Sequence, residues 1–78
     1  MDIKKKYKKI FIKSLSINKR DFREDLKFGE LSKWDSVGHM TLISTLEDGF
    51  NISIQAEDII EFNSFKKGLK ILEKYKPK

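Results

Sequence analysis

The sequence predicts an all-α fold: a small four-helix bundle with a long loop between its first two helices and a short third helix, one domain over residues 1–78. Three observations lead there. Apolar residues return at three- and four-residue steps along most of the chain, the spacing of one helix face. The one stretch that alternates like a strand, "FNISI" at 50–54, is short and has no partner. Seventy-eight residues without a cysteine leave room for a single modest core held by apolar packing alone. Hydrophobic residues make up 38% of the chain, with six Phe, two Tyr and one Trp to fill that core.

The first helix is read over 3–14, where Ile3, Tyr7, Ile10 and Phe11 form an apolar stripe and Lys4, Lys5, Lys6, Lys8 and Lys9 turn to water. The connection at 15–34 is long, and a structureless loop of that length argues against an assignment. Phe22, Leu26, Phe28, Leu31 and Trp34 are enough large apolar groups to pin it over the core. Phe22 and Leu26, a helical turn apart, leave room for a short helix in "RDFREDLKF". The second helix begins at Asp35 or Ser36 and carries Met40, Ile43, Leu46 and Phe50 or, on an overlapping face, Leu42, Leu46 and Phe50, with Gly49 as its end. A third, at 56–61, has Glu57 and Asp58 in its first turn, where the helix dipole favours acids, and Ile59 and Ile60 facing inward. The fourth starts after Asn63 or Ser64 as cap and runs through Phe65, Leu69 and Leu72 to about Tyr75, with Pro77 as its stop.

Composition narrows the function. So short a chain is not expected to be an enzyme with its own substrate pocket. Zero cysteines exclude Cys-based metal sites, and His39, the single histidine, lacks the partners that a metal site or a catalytic dyad needs. No apolar run approaches the ~20 residues of a membrane span, and the N-terminus lacks the apolar core of a signal peptide, so the expectation is a cytoplasmic chain. The net charge of +5 is segregated. Residues 1–33 hold eleven Lys/Arg against five acids; 34–64 hold Asp35, Glu47, Asp48, Glu57, Asp58 and Glu61 and no Lys or Arg; 65–78 hold six Lys against one acid. An acidic middle between basic ends leaves one alternative open, a small basic helical module binding nucleic acid or a partner protein. Against it, the aromatics fall on the apolar stripe rather than among the lysines.

The stretch "KWDSVGHMTL" at 33–42 sets an acid and a hydroxyl, Asp35 and Ser36, just before a helical apolar run. Either residue is a good N-cap, worth ~1 kcal/mol, and the pair needs no further purpose. A helix start also presents unpaired N–H groups and a partial positive charge, which favours a phosphodiester there. Ser36 has no dedicated base, since His39, three residues on, lies roughly on the same face but could as easily face solvent; it reads as an acceptor worked on by another enzyme. Trp34 anchors the loop beside the serine, and Val37 and Met40 read as exposed apolar contacts for partners.

The order of features, a helix, a long pinned loop, "DSVGHMTLISTLEDGF", "ISI", a short acidic helix and a last helix, resembles the acyl carrier proteins over nearly the whole chain. The resemblance rests on the Asp35-Ser36 pair opening the second helix, on Leu42, Leu46 and Phe50 at four-residue steps, and on "LED" at 46–48. It implies that Ser36 carries phosphopantetheine from coenzyme A, whose thiol holds an acyl or aminoacyl group as a thioester. The implied partners are a phosphopantetheinyl transferase and enzymes that load and transfer the acyl group. They would dock on Met40, Glu47, Asp48, Glu57 and Glu61, with Trp34, Asp35, Val37 and His39 as the neighbouring motif. A monomer that binds no nucleic acid and spans no membrane is implied as well. The chain departs from most members in being basic, and in reading Val37, Gly38, His39 after the serine, where an acid is common. Gly38 is expected to cost up to ~1 kcal/mol and loosen that turn. "WDSVGH" is more similar to specialised carriers, of lipid or secondary metabolism, than to the housekeeping carrier of fatty acid synthesis, with amino-acid carriers close behind.

Overall fold

Tyr7 and Phe11, one helical turn apart, are fully buried, and Leu15 in the turn that follows continues their line. They are the inner face of α1 (Ile3–Ser14), which is followed by α2 (Ser36–Phe50), α3 (Ala56–Glu61) and α4 (Phe65–Tyr75), with a 3-10 turn at Lys19–Asp21. The computed structural model describes residues 3–75, and among these the chain is all-α, as expected. Pro77, read as the stop of the last helix, lies outside the described residues.

The helix ends follow from local chemistry. After α1, Ser16 takes the left-handed conformation, and the N–H groups of Ser16 and Ile17 donate back to the carbonyls of Lys13 and Ile12, each at 3.2 Å, the Schellman closure of a helix. The end of α2 corrects the sequence reading. Gly49 lies inside the helix, and the left-handed residue is Asn51, whose N–H and that of Ile52 both return to the Glu47 carbonyl. Asn tolerates that conformation better than most residues. Gly49 instead lets α1 approach, since a Cβ there would stand 2.7 Å from Ile10 Cδ1. Ser64 caps α4 by accepting the Lys67 N–H at 3.0 Å on its hydroxyl.

Aromatic rings lock the core. Tyr7 stacks on Phe65 with centroids 4.3 Å apart, and Phe11 meets Trp34 and Phe65 edge to face at 5.0 and 5.1 Å. The Tyr7 hydroxyl donates to the Phe65 carbonyl at 2.8 Å, and its burial pushes the phenol pKa far above the ordinary range. Gly68 makes this closeness feasible, because a Cβ there would collide with the Phe62 ring and the Tyr7 hydroxyl. Leu42, Ile43, Leu46 and Leu72 complete the interior, while Phe50 and Leu69 are half-buried at its edge.

The long connection is pinned as its apolar content predicts, with Leu26 and Trp34 buried and Phe22 and Leu31 half-buried. No α-helix forms in "RDFREDLKF"; the 3-10 turn ends before Phe22. The backbone ties across to the α3–α4 junction instead: the Phe28 N–H donates to Asn63 at 2.8 Å and the Phe65 N–H to Leu26 at 2.9 Å. Phe28 itself is exposed, and so is Ile60, which was expected to face inward; Ile59 and Phe62 take the inner side of α3.

Candidate functional site

Asp35 begins α2 and does the capping itself. Its backbone is extended, its Oδ1 accepts the Gly38 N–H at 2.9 Å, and its carbonyl accepts the His39 N–H at 2.7 Å. Ser36 is therefore the first residue inside the helix, exposed, with the cap already supplied by its neighbour. Gly38 has a firmer role than the sequence suggests. A Cβ there would run into the Lys33 carbonyl oxygen and stand 3.3 Å from Leu15 Cδ2, so its missing side chain is what lets the loop fold against the first helical turn.

His39 does not face solvent: it is 9% exposed and both ring nitrogens are engaged. The Trp34 indole N–H, which can only donate, makes a hydrogen bond to Nδ1 at 3.0 Å, so the ring proton sits on Nε2, which donates to the Ile59 carbonyl at 3.0 Å. One neutral imidazole thus joins the loop, α2 and α3. With both nitrogens occupied, it offers no lone pair to the Ser36 hydroxyl.

Ser36 stands between two open depressions. One, of about 330 Å³, lies between α2 and α3, where Ser36 shares the walls with Phe28, Met40 and Ile60. The other runs along α2 past Val37, Met40, Thr41, Ser44 and Thr45. Val37 is 76% exposed and Met40 55%, as the sequence suggests. The Thr41 and Thr45 hydroxyls turn back onto the carbonyls of Val37 and Thr41.

The acids divide by position. Glu47 Oε2 accepts the Ile54 N–H at 2.7 Å and so holds the α2–α3 loop. Asp48 lines a groove with Ile10 and Lys13 of α1, away from the α2–α3 cleft. Glu57 and Glu61 are exposed on α3, with Ile60 beside them. Two lysines of α4 lie against these acids: Lys67 stands 3.5 Å from Glu61, and Lys74 pairs with Asp58 at 2.9 Å. Asp58 is buried and also accepts the Tyr75 hydroxyl, whose oxygen takes the Gln55 N–H at 3.1 Å. The hydrogen bond from Lys74, then that from Tyr75, holds the Asp58 carboxyl below its ordinary pKa, and the same bond raises Lys74. Sequence reading assigned Asp58 only to the helix dipole; its partners lie 16 and 17 residues away, with no local pattern to reveal them.

Among the described residues no group of three or more His, Cys, Asp or Glu could hold a metal ion, and no helix is long and apolar enough to cross a membrane. No protein-family model matches the chain, and no curated protein matches it.

Proposed function

We propose that this chain is an acyl carrier protein, in which Ser36 carries a phosphopantetheine arm placed there from coenzyme A by a phosphopantetheinyl transferase. The observation that carries the reading is the division of labour at the start of α2: Asp35 makes the cap, and the Ser36 hydroxyl is left exposed without a base of its own. The site fits a phosphodiester, because the first turn of α2 presents the positive end of its dipole to an anion joined to Ser36. When bound, the arm supplies a thiol that holds an acyl or aminoacyl group as a thioester.

The protein's own residues do the rest. Trp34, His39 and Ile59 fix the first turn of α2 against the loop and α3, so the attachment oxygen has a defined position. Val37 and Met40 give partner enzymes an apolar contact beside Ser36, and Glu57 and Glu61 a charged rim. The proposed partners are the transferase and enzymes that load and transfer the acyl group in a specialised cytoplasmic pathway, visited by a monomeric carrier. Co-expression with a broad-specificity transferase tests the proposal. The purified chain should carry one phosphopantetheine, and Ser36→Ala none while keeping its circular dichroism. An unmodified chain that binds nucleic acid with steep salt dependence would replace this reading.

A further inference from the structure

Six lysines and no acid make up the charge of α1, and Lys4, Lys5 and Lys6 stand in its first turn, against the helix dipole. They divide into two sets. Those flanking the buried stripe have partners on the protein: Lys4 pairs with Glu24 at 3.0 Å, and Lys6 and Lys8 lie over the Phe50 and Phe22 rings at 4.9 and 5.0 Å. Lys5, Lys9 and Lys13 form an exposed line at four-residue steps, turned away from the buried Tyr7 and Phe11. Among the described residues none of these three makes an ion pair, although Asp48 lines a groove with Lys13. Like charges one turn apart repel, so the line weakens α1 and packing does not account for it.

We propose that the line of Lys5, Lys9 and Lys13 docks the protein on an anionic lipid surface. The inference goes beyond the carrier reading and does not depend on it. A row of one sign, about 12 Å long at the helical rise, complements a layer of negatively charged headgroups. A protein partner would need apolar anchors at the centre of the contact, and none of the exposed large hydrophobics, Phe28, Val37, Met40 and Ile60, belongs to α1. Nucleic acid fits less well. Helix α1 has no arginine for paired phosphate contacts, and its aromatic residues, Tyr7 and Phe11, are buried where no base can stack on them. Lysine ammonium groups on flexible stems are point charges, which suit headgroups that move with a fluid surface. Because the apolar stripe of α1 is packed into the core, the helix rests on the surface without inserting, and the attraction is electrostatic alone. None of the three lysines borders either depression beside Ser36, so docking leaves that serine open.

The test is co-sedimentation of the full chain with vesicles of phosphatidylcholine, alone or mixed equally with phosphatidylglycerol. Binding should require the anionic lipid, hold at about 0.05 M salt and vanish at about 0.5 M, where exposed charges are screened. Each lysine near such a surface is worth about fivefold in partitioning, so Lys5→Gln with Lys9→Gln should weaken binding about twenty-five-fold. That variant removes a repulsive pair and should melt no lower than the wild type, which separates lost contact from lost fold. Should it unfold, Lys9→Gln with Lys13→Gln takes its place. Lys33→Gln with Lys67→Gln removes the same charge from exposed positions outside α1 and should weaken binding by far less. Equal loss in the two variants would reduce the effect to net charge and overturn the proposal. No binding to anionic vesicles, or binding that survives the higher salt, would overturn it too. Tighter binding to a DNA oligonucleotide or to polyglutamate at equal anionic charge would assign the line to nucleic acid or to an acidic protein segment instead.

Discussion

Adding one methyl group at Gly38 has opposite consequences in a bare helix and in this protein. In an isolated helix Ala is favoured over Gly by ~0.5–1 kcal/mol. Here the methyl would press into the Lys33 carbonyl, part of a backbone that Leu31 and Trp34 hold in place, and overpacking of that kind costs ~1–3 kcal/mol. The second effect is the larger, so Gly38→Ala is expected to lower stability by ~1–2 kcal/mol in denaturant titration. A gain would mean that the loop is not held against α2. Nothing in "DSVGH" shows this, because the neighbour that excludes a side chain is a backbone group whose direction the folded loop decides. His39 is a similar case: the histidine is plain in the sequence, but its partners are an indole across the helix start and a carbonyl twenty residues on. Asp35 and Ser36 were legible as a pair, whereas which of them caps the helix needed the geometry.

At the scale of elements, α3 is too short to hold itself, at six residues, and its position depends on what it is tied to. One tie is the His39 bond to Ile59; the other is the cluster of Asp58, Lys74 and Tyr75. Asp58 has its pKa lowered by folding from an ordinary 3.8, so its contribution is present above that pH and is lost as pH falls through the lower folded value. Lys74 is raised above an ordinary 10.5, so its share is complete below that pH and is lost as pH rises through the higher folded value. Asp58→Asn should therefore melt below the wild type by a constant amount between these limits, and the gap should shrink as pH falls below about 4. A gap that does not narrow in acid would mean that the Asp58 charge does not hold α3. Helices α1, α3 and α4 were legible to within a residue, because apolar spacing, first-turn acids and a Ser64 cap are local signals. The end of α2 was misread because two left-handed candidates, Gly49 and Asn51, stand two residues apart, and packing against Ile10 claims the glycine.

For the whole molecule, the charge pattern is segregated along the chain but not in space. Lys67 and Lys74 of α4 lie against acids of α3, and Lys6 sits over the Phe50 ring at 4.9 Å. What the fold leaves exposed beside Ser36 is Val37 and Met40, with Glu57 on the neighbouring helix and Glu61, 3.5 Å from Lys67, one turn further along it. Exposed pairs at such a rim are individually weak and act mainly on the encounter rate, an effect that salt screens. Glu57→Lys with Glu61→Lys should accordingly slow modification of Ser36 several-fold at low salt and by much less at high salt. Lys5→Glu with Lys9→Glu, on α1, should leave the rate nearly unchanged, and a slower rate in that control would move the docking face to α1. The carrier role itself is tested most directly by position-resolved mass measurement after incubation of the apo chain with coenzyme A and a broad-specificity phosphopantetheinyl transferase. The expected result is a single phosphopantetheine on the peptide containing Ser36, with Ser32 and Ser44 unmodified and the Ser36→Ala chain unchanged in mass; no addition, or addition at another serine such as Ser14, Ser16 or Ser64, would contradict it.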